Sequence, residues 1–147
     1  MPLTLYHDPI SQPSRAILCF LRLTGIEHQV KLFNTLKGET RTSEFAKINP
    51  LKTVPAIDDD GFTLGESEAI VRYLMNSRKV GEGFYPSDPK IRAQVDRYFP
   101  FHHSTARTAF LKNFMAVYKD LFPPKMLVPG FENYKEEVQK CLKQFDE

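Results

Sequence analysis

The chain holds 147 residues, with 20 Lys and Arg against 18 Asp and Glu and a formal charge of +2 at neutral pH. That near-balance, with no block of five or six like charges, excludes the electrostatic footprint of a nucleic-acid or membrane-surface binder. Ordinary hydrophobic and charged fractions, 41% and 26%, suit a soluble globular protein long enough for one domain and part of a second. The two cysteines, Cys19 and Cys141, are far apart and form no CxxC, so reduced, structural thiols are expected rather than a disulfide framework or a metal site. MPLTLYHDPISQPSR has no basic segment leading into an apolar one, and nothing in it reads as a signal peptide. The apolar window AILCFLRL is broken by Arg22 and falls far short of the roughly 20 residues of a membrane span. A cytoplasmic protein is expected.

Residues 3–7, LTLYH, are apolar and aromatic and end at Asp8-Pro9, which predicts a buried strand. In SQPSRAILCFLRLTG, Ile17, Leu18, Phe20, Leu21 and Leu23 have helical spacing, Pro13 lies near a first helical position and Gly25 is the stop. HQVKLFN alternates Val30 and Leu32 with Gln29 and Lys31, the period of a strand. Within the polar stretch 34–53, TSEFAKI is a short helix capped by Thr42 or Ser43. VPAIDDDGFTL reads as two strands joined at Asp59-Asp60-Gly61, and ESEAIVRYLMNSRK, apolar at Ile70, Val71, Tyr73 and Leu74, as a helix. The order β-α-β-α-β-β-α fills residues 1–78.

Residues 79–87 form a Gly- and Pro-bearing linker, and residues 88–147 are helical in character. Asp88-Pro89 supplies a cap and a first-position proline. Ile91, Val95 and Tyr98 mark one helical face, and the pattern resumes after Pro100 through Ala106, Phe110, Phe114 and Val117. A kink is expected at Pro100, since a proline inside a helix costs roughly 3 kcal/mol. Beyond FPPKMLVPG, a last helix aligns Phe131, Tyr134, Val138, Leu142 and Phe145 on one stripe that needs a partner. So few helices make an incomplete bundle, and the sequence reads as part of a longer protein or a shortened homologue.

Three features carry chemistry. Ser11 stands at the mouth of the first helix, where free amides and the helix dipole favour an anion; it is either an N-cap or a hydroxyl donor aimed at negative charge. Pro55 interrupts a β-type run. In cis, it would turn the backbone of Val54 out of the sheet to pair with an extended ligand. Glu66-Ser67 opens another helix and is either an acidic cap or a head-group clamp, with Ser67 and local amides on a carboxylate and Glu66 on an ammonium. Together they describe a site for a peptide-like zwitterion. His7, His28, His102 and His103 show no motif linking them to a nucleophilic serine.

LYHDPISQPSRA, LKGETRTSEFAKINPLKTVPAI and FTLGESEAIVRYL, ahead of a helical segment, resemble the glutathione transferases, and SQPSR resembles the theta class. The resemblance is continuous over about residues 3–78 and looser to about residue 118. It implies an α/β thioredoxin-like N-terminal domain followed by an all-α C-terminal domain, here incomplete. Ser11 then corresponds to the catalytic serine that donates to the glutathione sulfur. Val54, before Pro55, corresponds to the main chain that pairs with the cysteinyl unit, and Glu66 and Ser67 to the pair holding the γ-glutamyl end. Arg41, Lys52 or Thr53 would lie near the glycyl carboxylate, with Thr40 standing where the family often has a histidine. Arg107 corresponds to an arginine of the electrophile pocket or is a solvated helix residue.

The implied activity is detoxifying conjugation, in which a glutathione thiolate attacks small alkyl or aralkyl halides, epoxides or organic hydroperoxides. A free thiol has a pKa of about 8.5, and only the thiolate is a good nucleophile, so a hydroxyl donor at a helix N-terminus is what the chemistry requires. Glutathione is the co-substrate, no metal is called for, and a homodimer is implied. The alternative is a non-catalytic glutathione-transferase-like subunit serving as an interaction module for protein partners in a larger assembly.

Overall fold

A computed structural model describes residues 2–78, 80, 82–117 and 134–143. The chain divides into two compact units, Met1–Pro86 and Ser87–Glu147. The first follows the order read from the sequence: β1 (Leu3–His7), α1 (Gln12–Thr24), β2 (His28–Leu32), α2 (Ser43–Ile48), β3 (Ala56–Asp59), β4 (Phe62–Gly65) and α3 (Ser67–Ser77), with a single 3-10 turn, Glu39–Arg41, ahead of α2. The strands lie in the order β2-β1-β3-β4. β1 is parallel to β2 and antiparallel to β3, and β3 is antiparallel to β4. This is a thioredoxin-like domain.

Alternation along the strands sends side chains to two cores. Leu3 and Leu5 of β1 pack with Ile17 and Leu21 of α1, Ile57 of β3, and Ile70 and Leu74 of α3. Tyr6 points the other way and joins Phe45 of α2, Val54 and Ala56. Burying each of the larger apolar side chains is worth about 1.5–3 kcal/mol relative to exposure. Phe33 completes this second core, its ring 4.9 Å from that of Phe45 and 5.9 Å from that of Tyr6.

Local chemistry fixes the ends. Thr42 caps α2 by accepting from the Phe45 amide, and Gly25, in the left-handed region, ends α1. Asp60 and Gly61, both with positive φ, make a two-residue hairpin turn, and Asp58 Oδ1 accepts from the Gly61 amide at 2.8 Å. Asp59 then ties the hairpin to α3: it accepts from the Tyr73 hydroxyl at 2.6 Å and pairs with Arg78. The alternation of β2 marks a strand but not a buried face, because β2 is an edge, with Val30 38% and Leu32 68% exposed.

The second unit contains α4 (Pro89–Phe101), α5 (Arg107–Val117) and α6 (Tyr134–Lys143). Asp88 caps α4 by accepting from the amides of Lys90 and Ile91. The backbone stays helical through Pro100, and the irregularity falls just beyond it as a π-turn, His102–Ala106, where the Ser104 hydroxyl donates to the Pro100 carbonyl at 2.7 Å. The helix thus continues past the missing amide of Pro100, and a wider turn follows it. Among the described residues the buried ones here are small: Ala106, Ala109 and Cys141. Leu142, on the stripe that needs a partner, is 49% exposed beside buried Cys141, and Val138 is half-buried. Phe131, Phe145 and the FPPKMLVPG loop lie outside the described residues. Both cysteines are free, but Cys19 is exposed where a structural residue was expected. Among the described residues no helix is long and apolar enough to cross a membrane.

The hairpin gives a direct test of this local reading. Gly61→Ala places a Cβ in the left-handed region with nothing within 4 Å to clash, so thermal or urea denaturation should report a loss of about 1–2 kcal/mol from backbone strain alone.

Candidate functional site

The sheet register determines what comes together. Tyr6 of β1 stands opposite Ala56 of β3, and Ala56 stands opposite Gly65 of β4. Because β3 runs against both neighbours, the chain after β1, the chain before β3 and the chain after β4 leave the sheet at the same end. β2, parallel to β1, sends its following loop there too. Residues 8–11, 33–41, 49–55 and 65–67 therefore gather at one end of the first unit, and all the predicted glutathione contacts fall within them.

Of the two readings that the sequence position of Ser11 left open, the structure shows the cap. Ser11 is the N-cap of α1, its Oγ accepting from the Ser14 amide at 3.4 Å, and the same hydroxyl donates to the Val54 carbonyl at 3.4 Å across 43 residues of sequence. Val54 and Pro55 are buried, the bond between them is cis, and β3 begins only at Ala56, leaving Val54 outside the ladder.

Asp8, read from the sequence only as the end of a strand, is the residue that ties this end together. It is 5% exposed. Its carboxylate accepts from the Ile10 amide at 3.0 Å and, across to the loop after β2, from the Thr35 amide at 2.8 Å and the Thr35 hydroxyl at 2.5 Å. Its carbonyl accepts from the Ser11 amide at 3.0 Å. Burial alone would raise the carboxyl pKa, but the hydrogen bonds from Thr35 and Ile10, with the nearby His7, outweigh it and hold Asp8 below the ordinary carboxylate value. His7 is itself buried, and desolvation pushes its imidazole below the usual value against the opposing pull of the Ser14 backbone and Asp8.

Asn49 organises the 49–55 loop. Its amide nitrogen donates to the carbonyl and hydroxyl of Thr53 at 2.8 and 3.1 Å, and its Oδ1 accepts from the Leu51 amide at 3.1 Å. Gly65 lies directly against it; a Cβ there would meet Asn49 Nδ2 at 2.8 Å. Lys52, with φ of 56°, and Thr53 are exposed, and Lys52 Nζ donates to the carbonyl of exposed Arg41 at 3.4 Å. Thr40, beside Arg41, is buried.

Glu66 precedes α3 with φ 65° and ψ 114°, a strained conformation for a residue with a side chain, and makes no side-chain cap. Glu66 thus stands at the cap position, with acidic Glu68 in the first turn, but its exposed side chain makes no bond to the helix; half-buried Ser67 takes the first helical position. Arg107 opens α5, half-buried, in the second unit, and is not one of these four loops. Beside residues 8–10 runs an open groove of about 430 Å³ whose walls include Pro9, Ile10, Leu32, Phe33 and Leu36.

A thioredoxin-like domain with a serine at the mouth of α1, a cis proline before β3 and a following helical unit is the class of protein seen here. The chain belongs to the glutathione S-transferase family, whose N-terminal domain profile matches residues 1–76. Glutathione S-transferase theta-1 of Rattus norvegicus is 39% identical over 153 residues, covering 99% of this chain and 63% of the relative. Theta-1 of Homo sapiens is 41% identical over 123 residues, covering 84% and 50%. Among solved structures, apo human glutathione S-transferase T1-1 has a TM-score of 0.85 at 35% identity, covering 96% of this chain and 60% of that one. A human theta-class glutathione transferase in complex with the glutathione conjugate of 1-menaphthyl sulfate has a TM-score of 0.85 at 30% identity, covering 97% and 59%. The chain thus spans 50% to 63% of the length of these two curated relatives.

Two outcomes follow from the buried polar groups. Asp8 has a lowered folded-state pKa, so its contribution is present above the unfolded value of about 4 and is lost as pH falls through the folded value. Urea midpoints measured from about pH 6 down to about pH 3 should fall more steeply for the wild type than for Asp8→Asn. Gly65→Ala should cost about 1–3 kcal/mol, because the Asn49 side chain cannot yield without dropping its bonds to Thr53 and Leu51. In an Asn49→Ala background the cost should shrink, which a double-mutant cycle measures.

Proposed function

We propose that the protein is a theta-class-like glutathione transferase that activates the glutathione thiol with Ser11. The observation that carries this reading is the Ser11 hydroxyl 3.4 Å from the Val54 carbonyl. If the main chain of Val54 pairs with the cysteinyl unit of glutathione, the sulfur, two bonds from that unit's Cα, falls beside the donor. A hydroxyl there, aided by the N-terminal amides of α1, stabilises the thiolate over the thiol. Glu66 binds the γ-glutamyl ammonium, Ser67 and the uncapped amides of α3 bind its carboxylate, and Arg41, Lys52 and Thr53 face the glycyl carboxylate.

The thiolate attacks an electrophilic carbon, and the bonding pair of the carbon–halogen or carbon–oxygen bond leaves with halide or the opened epoxide oxygen, which then takes a proton. With an organic hydroperoxide the thiolate takes the terminal oxygen and releases an alcohol, and a second glutathione reduces the sulfenic acid to disulfide and water. The apolar groove beside Ile10 and Leu36 offers a wall for such electrophiles, and Arg107, in the second unit, is assigned to the electrophile from its likeness to the family alone. We further place the protein in the cytoplasm as a homodimer with a detoxifying role. A second reading, a glutathione-binding interaction module, is favoured by one observation: Ile91 and Phe110 of the helical unit are 55% and 43% exposed.

Steady-state assays with alkyl halides, epoxides and organic hydroperoxides test the proposal. Ser11→Ala should lower turnover about 10- to 100-fold, the worth of one hydrogen bond to a charged group, with glutathione affinity little changed. Glu66→Gln and Ser67→Ala should chiefly weaken glutathione binding. Normal turnover in Ser11→Ala would remove its catalytic role, and tight glutathione binding without turnover of any electrophile would favour the module.

A further inference from the structure

We propose that Asp8 and Thr35 are positioning residues that hold the Ser11 hydroxyl at the glutathione sulfur, an inference that rests on the reading of Ser11 above. The Ser11 side chain is weakly restrained, since both of its own hydrogen bonds are 3.4 Å long. Its location must come from its backbone, which is held on both sides: the Ser11 carbonyl takes the Arg15 amide of α1 at 3.0 Å, and the Asp8 carbonyl takes the Ser11 amide at 3.0 Å while Asp8 Oδ1 takes the Ile10 amide at 3.0 Å. These bonds fix residues 8–11 relative to each other and to α1, but not relative to the loop after β2. Oδ2 supplies that second constraint by accepting both the amide and the hydroxyl of Thr35, 27 residues away.

The same carboxylate therefore joins the loop that bears the sulfur donor to the loop that leads to Arg41. Asn34 and Glu39 stiffen that second loop from within: the Asn34 amide donates to Glu39 Oε2 at 2.6 Å, and Asn34 Oδ1 accepts from the Lys37 amide at 3.0 Å. Arg15 adds a clamp from α1, its guanidinium donating to the carbonyls of Pro9 and Ile10 at 2.8 and 3.0 Å. Arg15 is exposed, however, whereas Asp8 is buried, so water can replace the Arg15 bonds far more readily than those of Asp8.

The test is an ultraviolet titration of bound glutathione on the 147-residue chain, which reads thiolate directly and needs no electrophile. The bound thiol pKa should lie below that of free glutathione in the wild type and rise in Ser11→Ala. It should also rise by about one unit, a tenfold loss of thiolate, in Thr35→Val and Asp8→Asn, and return to the wild-type value in Thr35→Ser. Affinity for S-methylglutathione, which has no thiol to ionise, should stay within about threefold in these variants, under the roughly 1.4 kcal/mol of a tenfold change. A folded Thr35→Val with a wild-type thiol pKa overturns the proposal, as does a loss confined to S-methylglutathione affinity. Thr35→Val removes a single hydroxyl and decides the question even if Asp8→Asn fails to fold. If instead the wild type does not depress the thiol pKa, or Ser11→Ala leaves it unchanged, the Ser11 reading itself fails and takes this one with it.

Discussion

Tyr6, Ala56 and Gly65 stand side by side across three strands, and the four loops that could touch a ligand depend on that row. Side chains alternate along a strand, so a slip of one residue in β3 would send Ile57 toward α2 and Ala56 toward α1 and α3, reversing both cores. It would also shift Val54 past the mouth of α1 and part its carbonyl from Ser11. Core packing and ligand geometry are thus specified by the same pairing. The core enforces the register, and the register delivers the loops.

What the register delivers, buried polar side chains then fix in place. Asp8 and Asn49 are almost fully enclosed, and each satisfies several backbone amides or carbonyls in loops that have no ladder of their own. Buried backbone groups left without partners would each cost about 1–3 kcal/mol, so such a side chain serves a loop much as a neighbouring strand serves an edge. The two residues act on opposite sides of the site. One orders the approach to α1, the other the approach to β3.

Much of this was legible in the sequence, because it depends on neighbours along the chain. The positive φ of Asp60-Gly61, the cap at Thr42, the stop at Gly25 and the cis bond at Pro55 all arise within a few residues of the signals that announce them. Ser11 was ambiguous between cap and anion donor, and the ambiguity was physical: the hydroxyl that caps α1 keeps a proton to donate, which here goes to the Val54 carbonyl. Asp8 escaped notice because its partner Thr35 is 27 residues distant and neither belongs to a periodic pattern. The exposure of Val30 and Leu32 was hidden for a related reason, since alternation identifies a strand but not whether it lies at an edge. Asn49 is the intermediate case: its partners are near in sequence, yet its importance comes from Gly65 pressing against it from another strand.

The π-turn at His102–Ala106 has a consequence for how the second unit's sequence is read. A wide turn fits an extra residue into the helix and so rotates everything downstream by roughly 100° relative to an unbroken α-helix. The stripe through Ile91, Val95 and Tyr98 and the stripe through Ala106, Phe110 and Phe114 are then not one continuous face, although a uniform period of 3.6 drawn across Pro100 joins them. Among the described residues, Ala106 at the end of the turn and Ala109 beyond it are buried, while Phe110 is 43% exposed. The helical run from Pro89 to Val117 is in effect two short rulers with different zero points, and a substitution's neighbours depend on which one measures it.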